Sequence, residues 1–201
     1  LAAFAIAYAV GEATGRLACI SYGCCYGKPL SQCGPVIRRL FRNYSFVFTG
    51  KNKKAAYASH LDGQKLIPIQ AVTSVVFILT ALTGLVLFLQ GWFHIAFVVP
   101  LVITQSWRYL SEFLRADYRG GYSISPYQVL SLIALVYAST LFLYLPSGES
   151  VHVDIIRGLN SLWNPAVILA LELIVVIAFV HTGKSGIMAS LVRLYVNQNR
   201  I

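Results

Sequence analysis

Charged residues are scarce in this chain: Asp, Glu, Lys and Arg make up only 11% of its 201 residues, and only seven of these are acidic. Soluble domains carry about 25% charged residues. Hydrophobic residues make up 57% of the chain, and its mean hydropathy is +0.68. This composition is not that of a water-soluble globular protein, and it predicts an integral membrane protein.

Polar stretches are also few, and they separate long apolar segments. A membrane-spanning helix needs about 20 mainly apolar residues, and residues 68–90, 92–110, 126–145 and 162–180 meet this requirement. The apolar first ten residues form a fifth segment, or the remaining part of one, which continues past Arg16. It has no basic n-region, so we do not predict a signal peptide. We predict an all-α integral membrane protein with about five transmembrane helices, forming a single domain over residues 1–201.

The longest polar insertion covers about residues 28–66. Within it, Tyr44, Phe46 and Phe48 alternate with other residues, and this period-2 pattern predicts a short strand. We therefore expect a small, partly β extramembrane head. The head carries much of the net charge of +9. Because this charge lies beside apolar spans, attraction to anionic phospholipid is favoured over nucleic-acid binding.

Cysteine is confined to one short region. Cys19, Cys24, Cys25 and Cys33 are separated by four, zero and seven residues, whereas metal sites usually show paired C-x₂₋₄-C spacing. Adjacent cysteines could not both point at one ion without a strained turn. We predict no metal and no cofactor, and we interpret the cysteines as small residues that allow close packing. A redox pair, which would more often be spaced C-x-x-C, is the alternative.

Ionisable residues stand at the ends of two apolar segments. Arg108, Glu112 and Arg115 have the spacing of one helix face, and Glu12 lies four residues before Arg16. Such groups at membrane depth commonly mark a working site. The alternative is that each acid merely neutralises the arginine of its own helix.

A phosphate site is the function that this pattern favours. Guanidinium groups bind phosphate through two parallel hydrogen bonds and stay charged in a low-dielectric site. We predict that Arg16 and Arg108 hold a phosphate at the head-side interface, oriented by Glu12 or Glu112. Nearby glycines would let backbone N–H groups approach the anion.

Four motifs follow one another along the chain: GR followed by GxxxGKP within residues 15–29, PxQ at 68–70, RxxxEFxRxD at 108–117 and ISPYQVLS at 124–131. In this order they resemble the signature motifs of the bacterial prolipoprotein diacylglyceryl transferase family. The chain departs from the family pattern at three positions. It has Cys19 where the family has Asn, Cys24 where the family has an acid, and Ile67 where the family has His.

The resemblance implies transfer of a diacylglyceryl group from phosphatidylglycerol to a cysteine thiol of a lipoprotein precursor, by a multi-pass protein of the bacterial inner membrane. It implies catalytic roles for Arg16, Arg108 and Glu112, and substrate-binding roles for Gly15, Gly23, Cys24, Tyr26, Gly27 and Arg115. Glu112 would orient Arg108 or act as the base.

Two other functions and the membrane orientation stay open at this point. A thiol-based membrane redox protein would use Cys24 and Cys25, and a non-catalytic membrane subunit would use its charges to pair with a partner helix. The positive-inside rule places the basic head in the cytoplasm, whereas the family resemblance places it outside.

Overall fold

The computed structural model describes residues 1–119, 124–144, 153–182, 184–187 and 190–193. They belong to two compact units, Leu1–Val153 and Asp154–Ile201. Four long helices build the first unit: α1 (Ala2–Tyr22), α4 (Ile69–Leu89), α5 (Phe93–Ser111) and α6 (Pro126–Tyr144). The second unit contains α7 (Ile155–Ser161), α8 (Pro165–Thr182) and the antiparallel strands β3 (Lys184–Ile187) and β4 (Ser190–Arg193).

Each predicted span corresponds to a helix, which confirms a mainly helical protein. Within the described residues, α1, α4 and α6 are long and apolar enough to cross a membrane, and the pair of α7 and α8, bent by 70°, counts as a fourth candidate. Helix α5 is not among these candidates, and it contains polar side chains such as Gln105 and Arg108. The prediction of about five spans in one domain stays a prediction, and residue 145 lies outside the described residues.

Small residues allow α1 to approach its neighbours. Ala5, Ala9 and Ala13 are buried at helical spacing, and α1 contacts both α4 and α5. Small side chains let helix backbones come close together in a membrane. A Cβ added to Gly84 of α4 would lie 2.6 Å from Cγ of Pro100 on α5, so a larger residue would push these helices apart.

Hydrogen bonds between the helices fix how they are aligned along their axes. The hydroxyl of Ser74 on α4 donates to the carbonyl of Ala13 on α1 over 2.9 Å. The indole N–H of Trp107 on α5 donates to the hydroxyl of Thr73 on α4 over 3.0 Å. Where water is absent, such groups are satisfied inside the protein, and the three helices are held in one register.

The head between α1 and α4 is partly β, as predicted. Strands β1 (Phe46–Val47) and β2 (Lys65–Leu66) pair antiparallel, and the head also contains the short helices α2 (Pro35–Phe41) and α3 (Lys54–Ser59). The strand is shorter than the alternating pattern that predicted it. A small apolar core of Tyr26, Phe48, Ala55 and Leu66 joins the head to the segment that follows α1.

Candidate active site

A polar stripe runs along α1 on the face beside its buried alanines. Tyr8, Glu12 and Arg16 are spaced four residues apart, and all three are half-buried. Nη2 of Arg16 donates to Oε2 of Glu12 over 3.0 Å, and the Arg16 side chain is 16% exposed. The predicted orientation of Arg16 by Glu12 is therefore present within one helix.

Arg108 reaches this stripe from α5. Its Nη1 donates to Oη of Tyr8 over 2.7 Å, and Nε2 of Gln105 lies 3.5 Å from the same oxygen. Tyr8 and Arg16 are separated by about 12 Å along the helix axis, at 1.5 Å per residue. The two arginines predicted to bind phosphate therefore both contact one polar stripe, at points about two turns of α1 apart.

The prediction that Arg108, Glu112 and Arg115 share one helix face is wrong for Arg115. Helix α5 ends at Ser111, Glu112–Leu114 form a 3₁₀ turn, and Arg115 is extended. The reason is competition for backbone partners. The N–H of Lys28 donates to the carbonyl of Leu114, the N–H of Ala116 donates to the carbonyl of Tyr26, and this bridge replaces the next helical turn.

Arg115 is part of a buried network centred on Asp117. Oδ1 of Asp117 accepts from Nε of Arg115 over 2.8 Å, and Oδ2 accepts from Nη2 of Arg115 over 3.0 Å and from Nε of Arg119 over 3.1 Å. The side chains of Arg115 and Asp117 are 7% and 2% exposed. Burial lowers the pKa of Arg115, but the hydrogen bonds and charge of Asp117 raise it above the ordinary value, so the guanidinium stays cationic.

Glu112 completes this network rather than orienting Arg108. Oε1 of Glu112 accepts from Nη1 of Arg119 over 2.9 Å, and Oε2 accepts from the hydroxyl of Ser125 at the start of α6 over 3.2 Å. Arg119 also lies 4.2 Å above the ring of Tyr127. The contacts of Tyr8 and Arg119 were not predicted from the sequence. Charges of alternating sign stand at every second residue, at Arg115, Asp117 and Arg119. This spacing would have indicated a shared network if the segment had been predicted to be extended.

The glycines after α1 serve close packing. Gly23 ends α1 in the left-handed conformation at φ 63°, with Phe48 and Lys53 of the head just above it. Gly27 is buried against Ile67, the residue after β2, and a Cβ there would lie 2.5 Å from the carbonyl oxygen of Ile67. Gly15 is exposed, with open space where a Cβ would be. The role of these glycines in anion binding stays a prediction.

Replacing Gly27 with Ala is expected to lower the free energy of unfolding by about 1–3 kcal/mol, since the new methyl group overlaps the backbone at Ile67. Gly34→Ala is the matched control because nothing lies within 4 Å of a Cβ there and φ is −61°. Thermal unfolding in detergent measures both. Equal melting temperatures for the two variants would contradict the assignment of Gly27 to close packing.

Tyr26 belongs to the head rather than to an open pocket. Its hydroxyl shares a hydrogen bond with the hydroxyl of Ser59, and the residue is 1% exposed. Burial raises its pKa above the ordinary value. A direct contact between Tyr26 and substrate, implied by the family resemblance, stays a prediction.

Three of the four cysteines converge. The Sγ atoms of Cys19, Cys24 and Cys25 all lie within 4.8 Å of one another. Hydrogen bonds from the thiols of Cys19 and Cys24 lower the pKa of Cys25 against the effect of its burial, and the positive charges of Arg115 and Arg16 lower it further. The cysteine cluster therefore lies near Arg115 and Arg16.

The family model for prolipoprotein diacylglyceryl transferase matches residues 1–144. The chain belongs to this family. The match covers α1, the head, α4, α5 and α6, and so every residue of the polar stripe and of the buried network. It confirms the resemblance carried by the four motifs. No curated protein and no solved structure matches the chain.

The family consists of bacterial membrane transferases that act on lipoprotein precursors with phospholipid donors. A diacylglyceryl transferase-like function is supported for this chain in that general sense, and the redox and non-catalytic alternatives are not favoured. The unit Asp154–Ile201 lies outside the match, and Glu172 in α8 has no assigned role.

Proposed function

We propose that this protein moves a diacylglyceryl group from phosphatidylglycerol to the thiol of a lipoprotein-precursor cysteine and releases glycerol phosphate. The observation that carries the proposal is that Arg16 and Arg108 both contact residues of one polar stripe, in a chain of the diacylglyceryl transferase family. On this proposal the protein is a single domain with five spans, including α5, in the bacterial inner membrane. Its partners are an anionic phospholipid and a lipoprotein precursor.

The main catalytic task in this reaction is to stabilise the negative charge that develops on the phosphate. When the bond from the glyceryl carbon to the phosphate oxygen breaks, negative charge grows on the phosphate, and fixed donors aimed at it lower the barrier. Among the described residues, Arg16 and Arg108 each donate through one nitrogen, whereas Arg115 donates to Asp117 through two. The remaining N–H groups of Arg16 and Arg108 are suited to binding the phosphate oxygens.

Arg115 and Glu112 act in this proposal by positioning other groups. Their network joins the segment after α5 to Tyr127 of α6 and to Ser125, which directly precedes that helix, while the backbone bridge at Gly27 joins it to the segment after α1. Because the Glu112 carboxylate already accepts two hydrogen bonds, orientation is a better role for it than that of the base. Gly15, Gly23 and Cys24 would then border the substrate.

The decisive experiment supplies the purified protein with phosphatidylglycerol labelled in the glycerol carbons of its diacylglyceryl group and a lipobox peptide. We expect the label to appear on the peptide in a hydroxylamine-resistant linkage, since the product is a thioether and not a thioester. A peptide with Ser in place of the acceptor Cys and vesicles of labelled phosphatidylcholine are the controls. Absence of label on the Cys peptide, or equal labelling of the Ser peptide, would refute the transferase; equal use of phosphatidylcholine would refute the choice of donor.

A further inference from the structure

We propose that Cys19, Cys24 and Cys25 bind one zinc ion through three thiolates and leave its fourth coordination position open. Zinc bound by sulfur is tetrahedral with bonds of about 2.3 Å, which places neighbouring sulfur atoms about 3.8 Å apart. The three Sγ atoms already lie within 4.8 Å of one another. A shift of about 1 Å or less at each sulfur therefore completes three corners of the tetrahedron.

The backbone provides the turn that the spacing of these cysteines requires. Cys25 adopts the left-handed conformation at φ 55°, which is uncommon for a residue other than glycine, and Gly23 adopts it at φ 63°. The N–H of Cys24 donates to the carbonyl of Cys19 over 3.1 Å, so the chain folds back over the last turn of α1. The objection that adjacent cysteines could not face one ion is thereby removed. Backbone strain of this kind, observed at a cluster of reactive groups, is a recognised sign of function.

The surroundings match the charge of such a site. A zinc ion with three thiolates carries a net charge of −1, and burying it requires nearby positive groups. Arg115 and Arg16 both interact electrostatically with Cys25. Cys33, the remaining cysteine, lies apart from the cluster, and its thiol donates to the carbonyl of Pro29 over 3.3 Å.

A buried amide beside the cluster provides a further, independent observation. Gln70 is 1% exposed, and its Nε2 donates to the carbonyl of Cys24 over 2.9 Å. Its Oε1 is buried and has no hydrogen-bond partner among the described residues. A buried polar atom without a partner is costly, and a donor on a bound ligand would satisfy it. Groups of this kind beside a metal orient what it binds.

The open position defines the ligand class. Among the described residues, the cluster offers three ligands and no fourth, which is the arrangement of catalytic rather than structural zinc. Resting here on the proposed function, we assign the fourth position to the acceptor thiolate. The acceptor thiol loses its proton to solvent on binding, and its sulfur lone pair forms the bond to the glyceryl carbon. The carbon–oxygen bond breaks, and its electron pair leaves with glycerol phosphate, which takes up a proton from water.

The first test measures metal binding by the full chain, purified in detergent with a phosphine reductant and stripped with chelator. Titration with Co²⁺ is expected to give about one ion per chain and a charge-transfer band of three thiolates, displaced by Zn²⁺. Cys19→Ser and Cys25→Ser are expected to weaken binding at least about tenfold, whereas the matched variant Cys33→Ser retains wild-type affinity. Absence of the band in the wild type, wild-type affinity in both cluster variants, or an equal loss in Cys33→Ser would overturn the site.

The second test adds the lipobox peptide to the cobalt-loaded protein in the absence of lipid. The Cys peptide is expected to raise the charge-transfer intensity by about one third, as three thiolates become four, and the Ser peptide to leave it unchanged. Equal spectra with the two peptides would overturn the role of the open position. Neither test measures transfer, so a protein that binds zinc but labels no peptide would refute the proposed function and leave the metal site standing.

Discussion

Replacing Asp117 with Asn is expected to lower the free energy of unfolding by about 3–5 kcal/mol, the largest loss predicted for this protein. The carboxylate is 2% exposed and accepts three hydrogen bonds from Arg115 and Arg119. The Asn side chain keeps the shape but removes the charge, and it leaves two buried guanidinium groups with Glu112 as their remaining described acidic partner. Breaking a buried ion pair on one side is costly because the other charge stays desolvated.

Asp62→Asn is the matched control for this measurement. Asp62 is an exposed acid in the head that accepts one hydrogen bond, from the N–H of Gly50 over 3.0 Å. Its substitution is expected to change stability by less than about 1 kcal/mol. Thermal unfolding in one detergent compares the two variants directly. If Asp117→Asn melts at the temperature of Asp62→Asn, the network does not stabilise the fold as described.

Replacing Arg16 with Ala is expected to lower kcat of diacylglyceryl transfer by about 10²–10³-fold, the loss typical of removing one donor to a developing oxyanion. Arg16 is held by a single described bond to Glu12 and is 16% exposed, so its remaining donors can reach a lipid phosphate. Arg16→Lys is expected to recover part of the rate, since lysine keeps the charge but not the planar pair of donors. The fall is expected mainly in kcat because the charge develops in the transition state.

The control for Arg16 is Arg39→Ala, which removes the same charge from an exposed position of the head. We expect this variant to transfer at the wild-type rate in the same vesicles. Arg108→Ala is expected to show the same loss as Arg16→Ala, because both contact the stripe on α1. Rates of Arg16→Ala and Arg39→Ala that agree within about threefold would remove Arg16 from the catalytic groups.

The helices of the first unit could be predicted closely from the sequence. Residues 68–90 form α4 (Ile69–Leu89), and residues 92–110 form α5 (Phe93–Ser111). The length of an apolar run is a local property, and a proline at the start or a glycine after the end marks the boundary. The end of α5 was harder to predict. It depends on hydrogen bonds between residues 114–116 and the segment after α1, which no local pattern contains.

The partners of the charged residues could not be predicted for the same reason. Spacing along one helix correctly paired Glu12 with Arg16, since both lie on one helix face. It suggested Glu112 as the partner of Arg108, whereas Arg108 meets Tyr8 of another helix and Glu112 meets Arg119. Contacts between helices depend on their rotation and register, which the small residues of α1 and the interhelical hydrogen bonds decide.

The sequence by itself determined the apolar composition, the long helices, the partly β head and, through four ordered motifs, the family. Only the tertiary structure decided which arginines contact the polar stripe, which acidic residue pairs with which arginine, and that three cysteines lie close together. The left-handed conformation of Cys25 shows why. The adjacent positions of Cys24 and Cys25 in the sequence argued against binding of one metal ion by both, because an ordinary backbone conformation points adjacent side chains in different directions. The fold of the segment after α1 imposes the exceptional turn that brings the sulfur atoms together beside Arg16 and Arg115.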